Sequence, residues 1–568
     1  MTNRVGASVF SLVVVAALLG AWFLEVNGHT QVGETSALPR LEQADPVVAM
    51  ITHRVMSEQR EQMVAVSNDG DEEDEDETSS GAAPAPAHEP APPPLRYAAA
   101  TGSARSTAVA VDILEQGGNA VDAAIAAAFM VSVTNPYGSG VGGGGIAIVA
   151  PADGPALAID YLAAAGAQPA AASVAVPGFV PGLVELHTQY GELPWEALVT
   201  PAAELAASGY EVSAGLTQRI GRSARLRSDD PLRVARLRPG DLHTDPELAA
   251  TLAAVAADSS TAVTGDLAAA FTAAVDGLTL TDLTDYTPQW RTPLEATLQS
   301  GVLHTAPAPA GGASSAAAAL AWEQALHQAN DTDAAADYAG AYVAADRARA
   351  RSLADPAFTD ADPTRILDAV TTRATPSGPT DLSLSTSDTT HISVVDGTGL
   401  TVSMTNTLSE FFGSGLRVRG IFLNNTLDNF NTRGINSWEP GKRPRTFLAP
   451  SVLTTDTGAR LALGSAGGRR IPSAIGQTVA TAAGSQATSE HERWQEAVAS
   501  PRLHAEGGAV VAEPDMARTI ADLDRHSIRL EVINQAFYFG DVHIAGIAAD
   551  GGRFAISDPR RDGRAAAR

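Results

Sequence analysis

The hydrophobic pattern divides the chain into an apolar start, a polar stretch and a long alternating remainder. Ser8 to Val26 reads SVFSLVVVAALLGAWFLEV, interrupted only near its end by Glu25 and close in length to what a bilayer core requires. Arg4 precedes it on the short N-terminal side, which by the positive-inside rule leaves that end in the cytoplasm and everything else outside. No clear small-x-small cleavage site follows the run, so the reading favours an uncleaved anchor over a removed signal peptide. From Asn27 to Leu95 the periodicity fades, although Val47 to Val66 could carry a short helix. Here the acidic run DGDEEDEDE repels itself and GAAPAPAHEPAPPP favours extended polyproline conformation. The segment is therefore read as a stalk without a packed core.

From about Tyr97 the pattern becomes globular. Gly117 to Met130, GGNAVDAAIAAAFM, predicts an alanine-rich helix opening after a Gly-Gly turn. The glycine-rich NPYGSGVGGGG follows from Asn135, then a strand-like IAIVA. Nucleotide-binding loops follow a strand and open a helix; here the order is helix, loop, strand, which excludes that use. About Pro194 to Asp368 alternates Ala/Leu-rich helices with short turns. The last third holds short β-branched runs such as HISVVD, LTVSMTNT and GIFLNN, read as strands of a buried sheet. Together these predict an α+β fold or a layered α/β/β/α architecture.

Charge and composition then narrow the function. The 568 residues carry a formal net charge of −27, eight of the acids lying in the run Asp69 to Glu77. An acidic chain repels phosphate, so no nucleic acid is expected as a partner. There is no cysteine, which excludes disulfides, thiol nucleophiles, Cys-type zinc sites and a lipid-modified lipobox. The twelve histidines are scattered without His-Glu-x-x-His spacing, so no metal and no cofactor is assigned. Arg219 to Arg238 holds seven arginines. That is either an anion-binding patch or, with Asp229, Asp230 and Asp241 nearby, an exposed helix face, which is the favoured reading.

Ser387 to Asp396, SDTTHISVVD, puts two threonines and a histidine where a Ser/Thr/Pro-rich loop runs into a strand. Taken locally this is an ordinary junction. Other pieces occur with it in a fixed order: GGNAVDAAIAAAF with NPYGSGVGGGG, VPGFVPG at Val176 to Gly182, and ADR…LADP from Ala345 to Pro356. TNTLSEFFGSG at Thr405, FLNNTLDNF at Phe422 and GKRPRTFLAP at Gly441 follow, then GSAGGRRI at Gly464, SPRLH at Ser500 and SDPR at Ser557. In this ordered set the chain resembles the γ-glutamyltranspeptidase family.

The resemblance implies a four-layer αββα N-terminal-nucleophile hydrolase. Such a chain cuts itself, here between Asp388 and Thr389, into a large chain (96–388) and a small chain (389–568) that stay together as a heterodimer. Residues 1–26 would be the membrane anchor or signal and 27–95 the linker, placing the enzyme outside the cytoplasm. A hydroxyl is a weak nucleophile and needs an adjacent base. Cleavage frees the α-amine of Thr389, whose pKa near 8 suits that task. By motif position Thr407 would orient the nucleophile, and Gly467 and Gly468 would offer their amides as the oxyanion hole. The substrate would be a small-molecule or peptide amide, its acyl group passing to water or an amine.

The positions that grip a γ-glutamyl group in this family read differently here. Leu162 stands where an arginine holds the α-carboxylate, and Asn429 where an aspartate holds the α-ammonium. Ser409 replaces an asparagine, and Thr446 and Phe447 replace a serine pair. Asp428, next to Asn429, is expected to point elsewhere if the segment is extended. Acyl specificity is accordingly expected to have moved toward a less polar or larger acyl amide, or a polymeric glutamyl amide. The competing reading is a membrane-tethered, catalytically silent binding protein on the same fold.

Overall fold

The computed structural model describes residues 96–328, 334–372, 389–506, 509–519 and 528–568. The anchor, the stalk and Asp388 lie outside the described residues. No helix among the described residues is long and apolar enough to cross a membrane.

Two sheets face each other between layers of helices. The first has seven strands in the order Arg564–Ala567, Ala98–Thr101, Thr390–Val395, Thr401–Thr407, Gly144–Ala150, Leu157–Tyr161 and Gln289–Arg291. The second has six, in the order Arg553–Ser557, Asp541–Ile547, Arg460–Ala466, Ser451–Thr455, Gly301–Thr305 and Leu294–Leu298. Every pairing within these two sheets is antiparallel. The layered αββα expectation holds.

Strand alternation explains why the sheets stack as they do. Ile392, Val394, Val402 and Met404 turn into the apolar cluster beneath the first helical layer, while the residues between them face the second sheet. That inner face is polar. His391 bonds Thr405 Oγ1 at 2.8 Å and Ser393 Oγ at 2.9 Å. Ser393 and Ser403 donate to the carbonyls of His543 and Leu463 on the opposing sheet. Hydrogen bonds, not only apolar contact, hold the two sheets at this seam.

The helix expected after Gly117–Gly118 runs Ala120–Thr134. Asn119 caps it, its side chain accepting from Val121 and Asp122 while Asp122 accepts from the Asn119 amide. The helix is apolar nearly all round and buried along almost its whole length, as a helix packed on several sides must be. It lies against Ala104–Glu115, Trp195–Ser208 and the strands Thr390–Val395 and Thr401–Thr407. On the far side Gly312–Gln328 and Ile471–Gly484 cover the second sheet, and Ala334–Ser352 packs on Gly312–Gln328.

Candidate active site

Thr389 sits one residue ahead of the inner strand Thr390–Val395, and Thr407 closes the neighbouring strand. The register pairs Thr390 with Asn406, so one residue further Thr389 faces Thr407. Alternation puts Thr389 on the same side as His391, between the sheets. Thr389 is 3% exposed and Thr407 8%. The Gly467 amide donates to Thr389 Oγ1 at 3.3 Å. Gly467 and Gly468 have φ of 129° and 59°, conformations that favour glycine. Their turn ends the strand Arg460–Ala466 and leads into the helix Ile471–Gly484, whose first amides carry partial positive charge.

The glycine-rich loop that precedes Gly144–Ala150 packs directly on this centre. A Cβ on Gly143 would lie 2.3 Å from the Thr407 carbonyl oxygen, and one on Gly138 3.4 Å from that of Thr389. The loop's composition is set by close backbone approach.

A cavity of about 700 Å³ opens beside Thr389, Thr407 and Gly468, a size suited to a small ligand. Ser409, Asn429, Thr446 and Phe447 all line it. Ser409 has φ 81° and donates its amide to Thr407 Oγ1 at 2.9 Å, while Asn429 Nδ2 donates to Ser409 Oγ at 2.9 Å. Leu162 is not among the lining residues. It is 4% exposed and packed with Ile146, Ala306, Ala310 and Leu448, of which only Leu448 reaches the cavity. Its carbonyl accepts from Tyr286 Oη at 2.9 Å, fixing the chain where the strand Leu157–Tyr161 ends.

Two further expectations need correction. Thr426–Asn429 is a 3-10 turn, so strand alternation does not apply and Asp428 lines the cavity beside Asn429. Its carboxylate is already engaged by Arg225, Asn425 and Ser173. The arginine-rich segment is likewise not simply an exposed helix face. Arg219 is 4% exposed, its guanidinium 4.3 Å from the Tyr137 ring centroid. Arg225 bridges Glu410 and Asp428, both on the cavity wall.

Several residues to which sequence reasoning gave no role shape the site. His391 could have been found from the pattern, being two residues after Thr389 on the same strand face. Burial, with His543 a lesser cause, holds its pKa well below the ordinary histidine value, so the ring is neutral. His504 lines the cavity, its pKa pushed down to about 3 by burial and then by Arg470 and Arg469. Arg349, Arg445 and Arg469 also line it. Beneath the wall, Arg291 pairs with Asp160 at 3.0 Å and Asp355 at 3.3 Å, and Arg443 pairs with Asp160 at 3.3 Å. Two of the sequence motifs, ADR…LADP through Asp355 and GKRPRTFLAP through Arg443, therefore meet in one buried ion network.

Paired sheets between helical layers, with a threonine at the head of an inner strand beside the amide of a glycine turn, define an N-terminal-nucleophile hydrolase. The chain belongs to the γ-glutamyltranspeptidase family, whose model matches residues 106–568, and is thus a hydrolase or transferase of that class. It is 33% identical to the capsule biosynthesis protein CapD proenzyme of Bacillus anthracis, over 63% of this chain and 70% of that one. It is 32% identical to a glutathione hydrolase proenzyme of Pseudomonas aeruginosa, over 70% of this chain and 80% of that one. The acylase ACY 1 proenzyme of Pseudomonas sp. (strain V22) is 30% identical over 73% and 84% respectively. The fold matches a cephalosporin acylase from Bacillus halodurans with TM-score 0.73 at 24% identity, covering 86% of this chain and 98% of that one.

Proposed function

We propose that the chain cuts itself between Asp388 and Thr389 and then cleaves acyl amides through an ester on Thr389. In this reaction Thr389 Oγ bonds the substrate carbonyl carbon and the amide C–N bond breaks. The hydroxyl proton passes by way of the freed α-amine to the departing amine. Water or an acceptor amine then takes the acyl group and the hydroxyl is restored. The observation that carries this reading is the Gly467 amide 3.3 Å from Thr389 Oγ1, a donor near the place where the oxyanion would form. Thr407 serves as orienting partner and Gly468 as second donor. The large and small chains, 96–388 and 389–568, remain one heterodimer.

Acyl groups other than free γ-glutamyl suit this cavity better. Asn429 is neutral, and of the three acids on the cavity wall Glu410 and Asp428 are tied to Arg225 while Asp346 faces the charges of Arg349 and Arg445, an arrangement that disfavours an α-ammonium. We place the enzyme outside the cytoplasm, tethered through residues 1–26 and spaced by 27–95, on the strength of the apolar run behind Arg4.

The test is the intact mass of the globular part, expressed from about Leu95, beside a Thr389→Ala control. Two chains with Thr389 as a new N-terminus, and a whole control, support the reading. A wild type that stays in one piece under all conditions would have no free amine at Thr389 and would end it.

A further inference from the structure

The wall of the cavity formed by the helix Ala334–Ser352 and the loop after Gly441 is rich in guanidinium groups. Arg349 is only 6% exposed. Its guanidinium carbon stands 3.6 Å from the centroid of the Phe447 ring, and one terminal nitrogen donates to the Thr446 carbonyl at 3.3 Å. Its Nε has no hydrogen-bond partner. Burial draws its pKa down to about 10, the direction expected when a buried cation lacks a close counter-ion. Arg445 is half-buried and donates to the Ala350 carbonyl at 2.9 Å, and burial lowers its pKa too. Arg469, directly after Gly468, completes the group.

Asp346 lines the same cavity and acts on both Arg349 and Arg445 through space. Among the described residues it forms no ion pair with either. Glu410 and Asp428 are occupied by Arg225. A buried guanidinium with an idle N–H is expensive to maintain, and its planar fork suits a carboxylate. Phe447 holds the guanidinium in a cation–π contact.

We propose that Arg349, with Arg445 and Arg469 beside it, forms an anion subsite that selects amides whose acyl group carries a carboxylate and no α-ammonium. This deepens the reading above and rests on it. The carboxylate contact would come from the helix Ala334–Ser352 and the loop after Gly441, not from the position of Leu162. Arg349 is then a specificity-determining residue, and Phe447 holds it in place.

The experiment uses the processed enzyme and two anilides of equal length: glutaryl 4-nitroanilide, ending in a carboxylate, and glutaramoyl 4-nitroanilide, in which an amide caps it. The expected kcat/KM ratio favours the carboxylate by roughly tenfold or more, the scale of one charge-assisted hydrogen bond. Arg349→Met and Arg445→Met should each pull that ratio toward one, mainly through KM. General structural damage would lower both anilides together and leave the ratio standing. A wild-type ratio near one, or a ratio unmoved in both variants, overturns the proposal. If neither anilide is cleaved, glutarate binding by thermal shift decides the matter independently. Stabilisation of the wild type by glutarate and not of Arg349→Met supports the subsite, and equal or absent stabilisation rejects it. Failure of cleavage alone counts against the enzymatic reading, not against the subsite.

Discussion

The rings of His391 and His543 lie parallel between the two sheets, 6.5 Å apart at an angle of 8°. His391 touches the opposing sheet at Gly464, where a Cβ would stand 2.2 Å from the ring. An imidazole so enclosed stays neutral, and that has a consequence for acid stability.

His391 and His504 both have depressed pKa values in the folded chain. Below the unfolded value, about 6.5, the unfolded chain binds protons that the folded chain refuses. Their stabilising effect is therefore full above that pH and falls away with acidification, down to about 3 for His504. We expect Tm to fall with pH in this window and the slope to be shallower in His504→Gln. A variant whose Tm tracks the wild type across the window would refute the assignment.

Gly467→Ala should cripple chemistry more than folding. The residue has φ 129° and its missing Cβ would lie 3.0 Å from the Gly540 Cα, so the amide aimed at Thr389 must shift. Loss of one such donor costs about 10²–10³ in kcat. Protein processed before assay, or mixed with wild type at known ratio, would report that loss. Turnover within a factor of about three of wild type would show that this amide is not the oxyanion donor.

Arg225→Met should release Glu410 and Asp428 into the cavity. The expected effect is a gain in relative kcat/KM for γ-glutamyl 4-nitroanilide, which carries an ammonium, against glutaryl 4-nitroanilide. An unchanged preference would mean that the two acids do not reach the acyl group.

Asp558→Asn tests a purely structural cluster. Asp558 pairs with Arg502 at 2.7 Å and with Arg560 at 3.1 Å, and its side chain is fully buried. Removing its charge strands Arg502, itself 2% exposed, at a cost of about 3–5 kcal/mol. Urea denaturation reads this directly, and a loss below about 1 kcal/mol would contradict it.

The candidate centre rests on residues that the family resemblance, not local periodicity, picks out. Thr389, Thr407 and the Gly467–Gly468 pair come together through strand register and one turn. The cavity wall was less legible. Arg349 and Phe447 are far apart in the chain and stack only because the helix Ala334–Ser352 docks on the loop after Gly441. No local periodicity announces such a contact. Motif position assigns Leu162 to the pocket, yet where the strand Leu157–Tyr161 ends its side chain packs into an apolar cluster. Asp428 was misjudged because a 3-10 turn replaces the extended segment that alternation presumes.

The strand order of the first sheet bears on what a break before Thr389 would leave behind. Ala98–Thr101 lies between Arg564–Ala567 and Thr390–Val395, so a strand from one side of the break is clasped by two from the other. The second sheet joins the two sides again, where Gly301–Thr305 pairs with Ser451–Thr455. Among the described residues the two sides are woven through both sheets. Only unravelling the sheets would separate them, so a nicked molecule should travel as one particle until it is denatured.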